Sequence, residues 1–357
     1  MILRHWFWPW QIYFDEDIKS DVINFTKQLT IREQKKYEFM IDFFSDFFTF
    51  QMLIDYITEH PDKKEAAIQK AKKDITKVTN IPNSMRNDFV DIISKQPKEI
   101  QNDLLFILDS AIKSKNSVNY KKYYKKIFGA KLFDEIVKNV NNYTFKSSLK
   151  FDSAKKENVQ TIHKNFIDYI NLEKFRNKWQ GIIPNYSTKL KNGMGYGEYW
   201  DEYFFDEYKN NTLVLFNNDY VTDNDILYTL FHEVYPGHGN FFEIIKQNKN
   251  NIDLGASLLI EGWATFCELS IGLNREYELY YENKYYNFLK CAFNNSYDNL
   301  DDYEIYKMVN YPLFKENYYM GAFALKLLLK DKNCEWLYKK FKNNNITDCF
   351  FAKLSKK

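Results

Sequence analysis

Phe231-His232-Glu233-Val234-Tyr235-Pro236-Gly237-His238 holds two of the chain's five histidines, and its reading decides the fold around it. Thr222 and Asp225 just upstream are spaced as a capping box, with Asp in place of Glu, so a helix should start there. Leu227, Leu230, Phe231 and Val234 then fall on one face that should enter a core. His232 and Glu233 lie off that stripe. A pair of histidines one helical turn apart, with a Glu beside the first, is the usual helical way of holding zinc. Here the fourth residue after His232 is Pro236, which ligates nothing, and the next His is six residues on. In an unbroken helix six residues advance about 9 Å and turn about 240° past the start, so the imidazoles could not meet. Pro236 disfavours helix at the residue before it, and Gly237 tolerates positive φ. A break there can fold His238 back beside His232.

A third ligand should come from a second helix. Leu254 to Leu273 reads as one, with Glu261, Ala264, Thr265 and Glu268 along one side. Glu261 lies 23 residues after His238, which leaves room for the end of the first helix, a loop at Asn248-Lys249-Asn250-Asn251, and a return. Its neighbours Leu258-Leu259-Ile260 and Trp263-Ala264 are apolar. A carboxylate in such a run needs a partner, either a metal or a basic side chain. Catalytic zinc takes three protein ligands and leaves the fourth place to water, which His232, His238 and Glu261 would satisfy. Glu268, two turns on, could orient a ligand from behind. His5, His60 and His163 have no partners at ligand spacing and read as ordinary packed or surface histidines.

These two stretches resemble the bacterial family catalogued as domain of unknown function 885, whose members carry His-Glu-x-x-Pro-Gly-His followed by Glu-Gly-Trp-Ala. Both patterns stand here, at His232 to His238 and at Glu261 to Ala264. The family's third signature, Pro-Gly-Gln-Ala-x-x-Tyr-x-x-Gly, is met at Pro312, Tyr318 and Gly321 and departed from at Leu313, Phe314 and Lys315. Gly239 stands where many relatives have another His. The resemblance covers about residues 195–330 and implies a helical zinc peptidase: one zinc ion per chain, lobes flanking a cleft, and short peptides as substrate. In that scheme Glu233 takes the proton of the attacking water, and Tyr318, or failing it Tyr319, donates to the oxyanion. A protein of the same fold that binds metal or a partner without catalysis is the competing reading. An amidase acting on a non-peptide amide is another.

Outward from the motif, breakers are few, with 11 Gly and 7 Pro, and the long mixed stretches before Gly181 read as helices. We expect them at roughly 15–29, 32–59, 62–78, 97–115, 118–128, 131–141 and 152–180, with the Phe-rich stretch Phe39 to Ile57 as a central core helix. The segment Lys191-Asn192-Gly193-Met194-Gly195-Tyr196-Gly197 has no strand before it and no Lys-Ser/Thr after it. It reads as a flexible turn or lid and not as a phosphate loop. Thr212-Leu213-Val214-Leu215-Phe216-Asn217 is a short β-type run, either an ordinary small hairpin or an edge able to take an extended peptide. The expected fold is mainly α, two-lobed and zinc-peptidase-like, with a small β element near the metal helix. The expected division is a helical N-terminal lobe at 1–190 and a metal-binding catalytic lobe at 191–357, with one continuous core also open.

Composition narrows the partners. The 45% hydrophobic and 18% aromatic content supplies a core and argues against disorder. Fifty basic and 48 acidic residues are interspersed for a net +2, which asks for neither nucleic acid nor an anionic membrane. The run Lys121-Lys122-Tyr123-Tyr124-Lys125-Lys126 reads as a solvated helix face. Cys267, Cys291, Cys334 and Cys349 form no Cys-x-x-Cys pair, which fits reduced thiols in the cytoplasm. The aromatic start Met1 to Trp10 is broken by Pro9 and followed by no small-residue cleavage site, so it is not read as a signal peptide. No apolar stretch reaches about 18 residues.

Overall fold

A computed structural model describes residues 9–27, 31–144, 157–192, 197–201, 210–217, 221–247, 257–330, 332–342, 351 and 354. The glycine-rich turn at 193–196, the loop at 248–251, Cys349 and the first eight residues lie outside the described residues. The protein is mainly helical, with one three-stranded sheet. Its contacts divide it into two units, neither continuous in sequence: Phe128–Lys290 with Asn317–Lys357, and Trp6–Ile127 with Cys291–Glu316.

In the second unit the Phe-rich stretch is not one helix. It forms Ile31–Ser45 and Phe50–Glu59, separated at 46–49. The cause is a competing backbone pairing. Phe48 N–H donates to the Lys77 carbonyl at 3.2 Å, and Thr79 N–H donates to the Phe48 carbonyl at 2.9 Å. Thr49 then restarts the helix, its hydroxyl accepting from Met52 N–H at 3.1 Å. The stretch expected at 62–78 is helical only over Lys64–Lys73, flanked by single 3-10 turns. The helix Arg86–Ser94, between Pro82 and Pro97, was not foreseen. Lys98–Lys113 and Tyr120–Phe128 bury Leu104, Ile107 and Leu108 and Tyr123, Tyr124 and Ile127 respectively. Lys121, Lys122, Lys125 and Lys126 are exposed, so that run is a solvated face.

In the first unit the helix expected at 152–180 is two, Val159–Ile170 and Glu173–Trp179, with Leu172 extended between them. Strands β1 (Ser187–Asn192), β2 (Gly197–Trp200) and β3 (Thr212–Asn217) order as β1-β3-β2. β3 is central, parallel to β1 and antiparallel to β2, and Leu213, Val214 and Leu215 are buried. β2 is an edge strand that packs on the helix Asp223–Glu233. Gly197 is needed there, since a Cβ would lie 2.9 Å from Thr229 Cγ2. Past β2, Asp201 is fully buried and paired with Lys246 of the helix His238–Gln247 at 2.6 Å, which ties the sheet to that helix.

Candidate metal centre

The helix Asp223–Glu233 opens with a complete capping box, Thr222 and Asp225 each accepting the other's backbone N–H. Asp225 also accepts from the hydroxyls of Tyr277 at 2.9 Å and Tyr281 at 2.8 Å. Phe231, Leu230 and Val234 enter the core, but Leu227 is only half-buried, and Tyr228 takes the deeper place. Its hydroxyl is satisfied there by Glu278 at 2.9 Å and by Asn274 N–H at 2.8 Å, which lets a phenol sit in a core.

The helix stops at Glu233, and a new one starts at His238. Between them the chain doubles back on itself. Gly237 N–H donates to the Phe231 carbonyl at 3.0 Å, and Asn240 N–H to the Val234 carbonyl at 3.0 Å. Gly237 is required for space and not for a positive φ: a Cβ there would sit 1.7 Å from the His232 carbonyl oxygen. The Pro236 carbonyl is held twice, by Trp263 Nε1 at 2.8 Å and by Asn240 Nδ2 at 3.1 Å. Trp263 sits two residues after Glu261 on the helix Ser257–Glu268, so that helix is pinned to the turn that presents His238.

The result brings His232, His238 and Glu261 together, their ligand atoms within 4.8 Å of one another. Glu261 Oε2 lies 3.5 Å from His232 Nε2 and 3.3 Å from His238 Nε2. Glu261 is buried at this place. Metal bonds of about 2.0–2.2 Å at tetrahedral angles put ligand atoms about 3.3–3.5 Å apart, which the two distances from Glu261 match. Behind the cluster His232 Nδ1 meets Glu268 Oε2 at 3.2 Å, which leaves Nε2 facing inward. His238 Nδ1 has no partner among the described residues.

Glu233 is set beside the cluster. Its carboxylate accepts the backbone N–H of Tyr199 on β2 at 3.0 Å. The Tyr318 ring stacks on His232, centroids 6.1 Å apart, and Tyr318 is hydrogen-bonded to Glu261. Tyr319 is buried and stacked on Tyr285 at 4.0 Å, a packing role.

Three carboxylates thus face two imidazoles in a buried place. Burial opposes a charge on His232, yet Glu261 and Glu268 push it up to about 10. Burial would raise Glu261, but His238 and His232 hold its carboxyl well below the usual range. Glu233 is raised by burial, with the two histidines countering part of it. Tyr318 is raised by burial and by the carboxylates of Glu261 and Glu233. Such a cluster draws cations, and a divalent ion would offset the buried negative charge.

The helix carrying Glu261 meets the helix Phe314–Leu328 at bare backbone. A Cβ on Gly262 would lie 2.5 Å from Gly321 Cα, and one on Gly321 would lie 2.1 Å from the Leu258 carbonyl. Two departures from the family pattern also have physical content. At Gly239 a Cβ would lie 2.7 Å from Pro184 Cγ and 3.2 Å from Tyr199 Cζ, so those side chains fill the place of any larger residue. Leu313 stands where the pattern has Gly and adopts φ 71°, a conformation that glycine reaches at less cost. The backbone N–H of Tyr199 and the roles of Asn240 and Trp263 escaped the sequence reading, because each acts through main-chain groups that carry no pattern. The helix expected to reach Leu273 ends at Glu268, with Gly272 at φ 78° beyond it and Lys178 Nζ bonded to the Ser270 and Ile271 carbonyls.

No family model and no curated protein matches this chain. Among solved structures, the crystal structure of a "putative lipoprotein" from Colwellia psychrerythraea is similar in fold, with TM-score 0.50 and 12% identity over 98% of this chain and 91% of that one. Fold and cluster together describe a mainly helical protein with a candidate His-His-Glu metal centre. No described helix is long and apolar enough to cross a membrane.

Proposed function

We propose that this chain is a zinc-dependent hydrolase of amide bonds in short peptides, holding one zinc ion through His232, His238 and Glu261. One observation carries the reading: both imidazole Nε2 atoms converge on one buried Glu261 oxygen, at 3.5 and 3.3 Å. Two imidazoles and a carboxylate favour zinc among divalent metals. A bound zinc ion lowers the pKa of water toward about 7 and polarises a carbonyl. Glu268 fixes the tautomer of His232 by accepting its Nδ1 proton. Glu233, aligned by Tyr199 N–H, takes the proton of the attacking water and delivers it to the departing amine nitrogen. The Tyr318 hydroxyl donates a hydrogen bond to the carbonyl oxygen as negative charge develops there. β2 lies at the sheet edge against the helix that carries Glu233, where an extended peptide would run alongside it.

Elemental mass spectrometry on the wild type and on Glu261→Ala is the first test. Near one zinc per chain, lost in the variant, is the expected result, and no zinc in the wild type after loading overturns the reading. A peptide-library digest with the Glu233→Gln variant follows. That variant should keep its zinc and lose about 10²–10⁴-fold in turnover. A zinc-loaded wild type that cleaves nothing would make the chain a metal-binding protein without catalysis.

The three described cysteines, Cys267, Cys291 and Cys334, form no disulfide with one another, and reduced thiols fit a cytoplasmic location. Cell fractionation tests this, and recovery in an envelope fraction would overturn it.

A further inference from the structure

In the unit Trp6–Ile127 with Cys291–Glu316 there is a cavity of about 330 Å³. That is at the small end of the roughly 300–1,000 Å³ range of small-molecule sites. Its wall is unusual in what it offers. Thr79 is only 4% exposed, and its hydroxyl has no hydrogen-bond partner among the described residues. Asn80 spends its NH₂ group on the carbonyls of Ile112 and Ser114, and Asn116 spends its own on the carbonyl of Lys77. Both amides are thereby fixed in orientation, and their Oδ1 atoms remain as acceptors. Ser114 donates its hydroxyl to the Val78 carbonyl. The wall is therefore rich in acceptors.

No carboxylate lines the cavity, so a cationic ligand would find no counter-ion, and Lys115 is the one cation on the wall. Ser117 and Asn295 add two more polar side chains, and Met308, Val309 and Pro312, with the ring of Tyr297, supply an apolar and aromatic part. Acceptors together with an apolar, aromatic part suit a neutral ring that bears many hydroxyl donors and a C–H face. We propose that this cavity is a binding site for a neutral, hydroxyl-rich ligand of monosaccharide size. Thr79, Asn80 and Asn116 would hold its hydroxyls, and Tyr297 would cover its C–H face.

Saturation-transfer NMR on the full chain tests this with D-glucose, D-galactose and N-acetyl-D-glucosamine as probes and inorganic phosphate as the anion control. The wild type should give transfer to at least one sugar. Thr79→Val, nearly isosteric, should weaken that sugar at least fivefold, because a ligand hydroxyl loses its partner in a buried place. Tyr297→Ala should abolish it. Circular dichroism and thermal melting establish that each variant is folded, and Thr79→Val alone decides if Tyr297→Ala is not. No transfer to any of the sugars overturns the proposal, as does transfer unchanged by the substitutions. Displacement of the sugar signal by phosphate also overturns it, since the site would then be an anion site at Lys115.

Discussion

Gly237 shows how one residue decides the chemistry at its neighbours. The chain returns so tightly after His232 that the His232 carbonyl occupies the place of a Cβ on residue 237. Gly237→Ala must open this turn, and no rotamer change can relieve a clash with backbone. The expected cost is about 3 kcal/mol or more, with loss of bound zinc. Unfolding by denaturant and metal content check it, and a variant with wild-type zinc and stability would contradict it. Glu316 carries the second prediction. It is fully buried, faces the Tyr120 hydroxyl and the Leu313 backbone, and is pushed up to about 8 by burial. A carboxyl raised in the folded state contributes stability that is full below its unfolded pKa, about 4.3, and is lost as pH rises through about 8. Glu316→Gln cannot ionise. Its stability relative to wild type should therefore grow between pH 5 and pH 8.5, by on the order of 3 kcal/mol. Parallel melts across that range test it, and a constant difference would refute it.

At the scale of elements, the metal centre depends on how two helices are joined. Trp263 reaches from the helix Ser257–Glu268 to the Pro236 carbonyl, and Asn240 reaches the same oxygen from the helix His238–Gln247. Trp263→Phe keeps an aromatic ring and removes this donor, with part of the buried bulk. It should weaken zinc binding about tenfold, in the manner of groups that orient ligands from behind, with a smaller loss of stability. Competition with a chromophoric chelator measures this, and unchanged affinity would show that Asn240 alone fixes the turn. Much of the candidate cluster was legible. The Pro-Gly break made a six-residue His spacing workable, and Glu261 stood out as a carboxylate in an apolar run. The capping box at Thr222 was equally readable. What was not legible came from distant backbone. The break at 46–49 exists because Phe48 pairs with the main chain near Val78, and no local propensity announces that. The Tyr199 N–H that aligns Glu233 belongs to a strand 34 residues away, and any residue type could supply it.

For the molecule as a whole, zinc should stabilise unevenly. At a free concentration of about 1,000 times its Kd, a ligand that binds only the folded state adds about 4 kcal/mol. The proposed ligands all lie in the unit Phe128–Lys290 with Asn317–Lys357. Hydrogen exchange with and without chelator should therefore show protection rising in Asp223–Glu233 and Ser257–Glu268, and little change in Lys98–Lys113. An equal rise in all three helices would argue against a local centre. The mainly helical fold was legible from sparse breakers and long mixed stretches, whereas the interleaving of the two units in sequence was not, because packing between distant segments decides it.

The contact of Gly262 with Gly321 bears on how this protein can change over time. Glu261 and Tyr318 ride on two helices that meet main chain to main chain at these glycines, so the spacing between the proposed ligand and the proposed hydrogen-bond donor is set largely by backbone. A side chain at either glycine would press on backbone, and a lineage that lost either would lose the ruler by which the pair is measured.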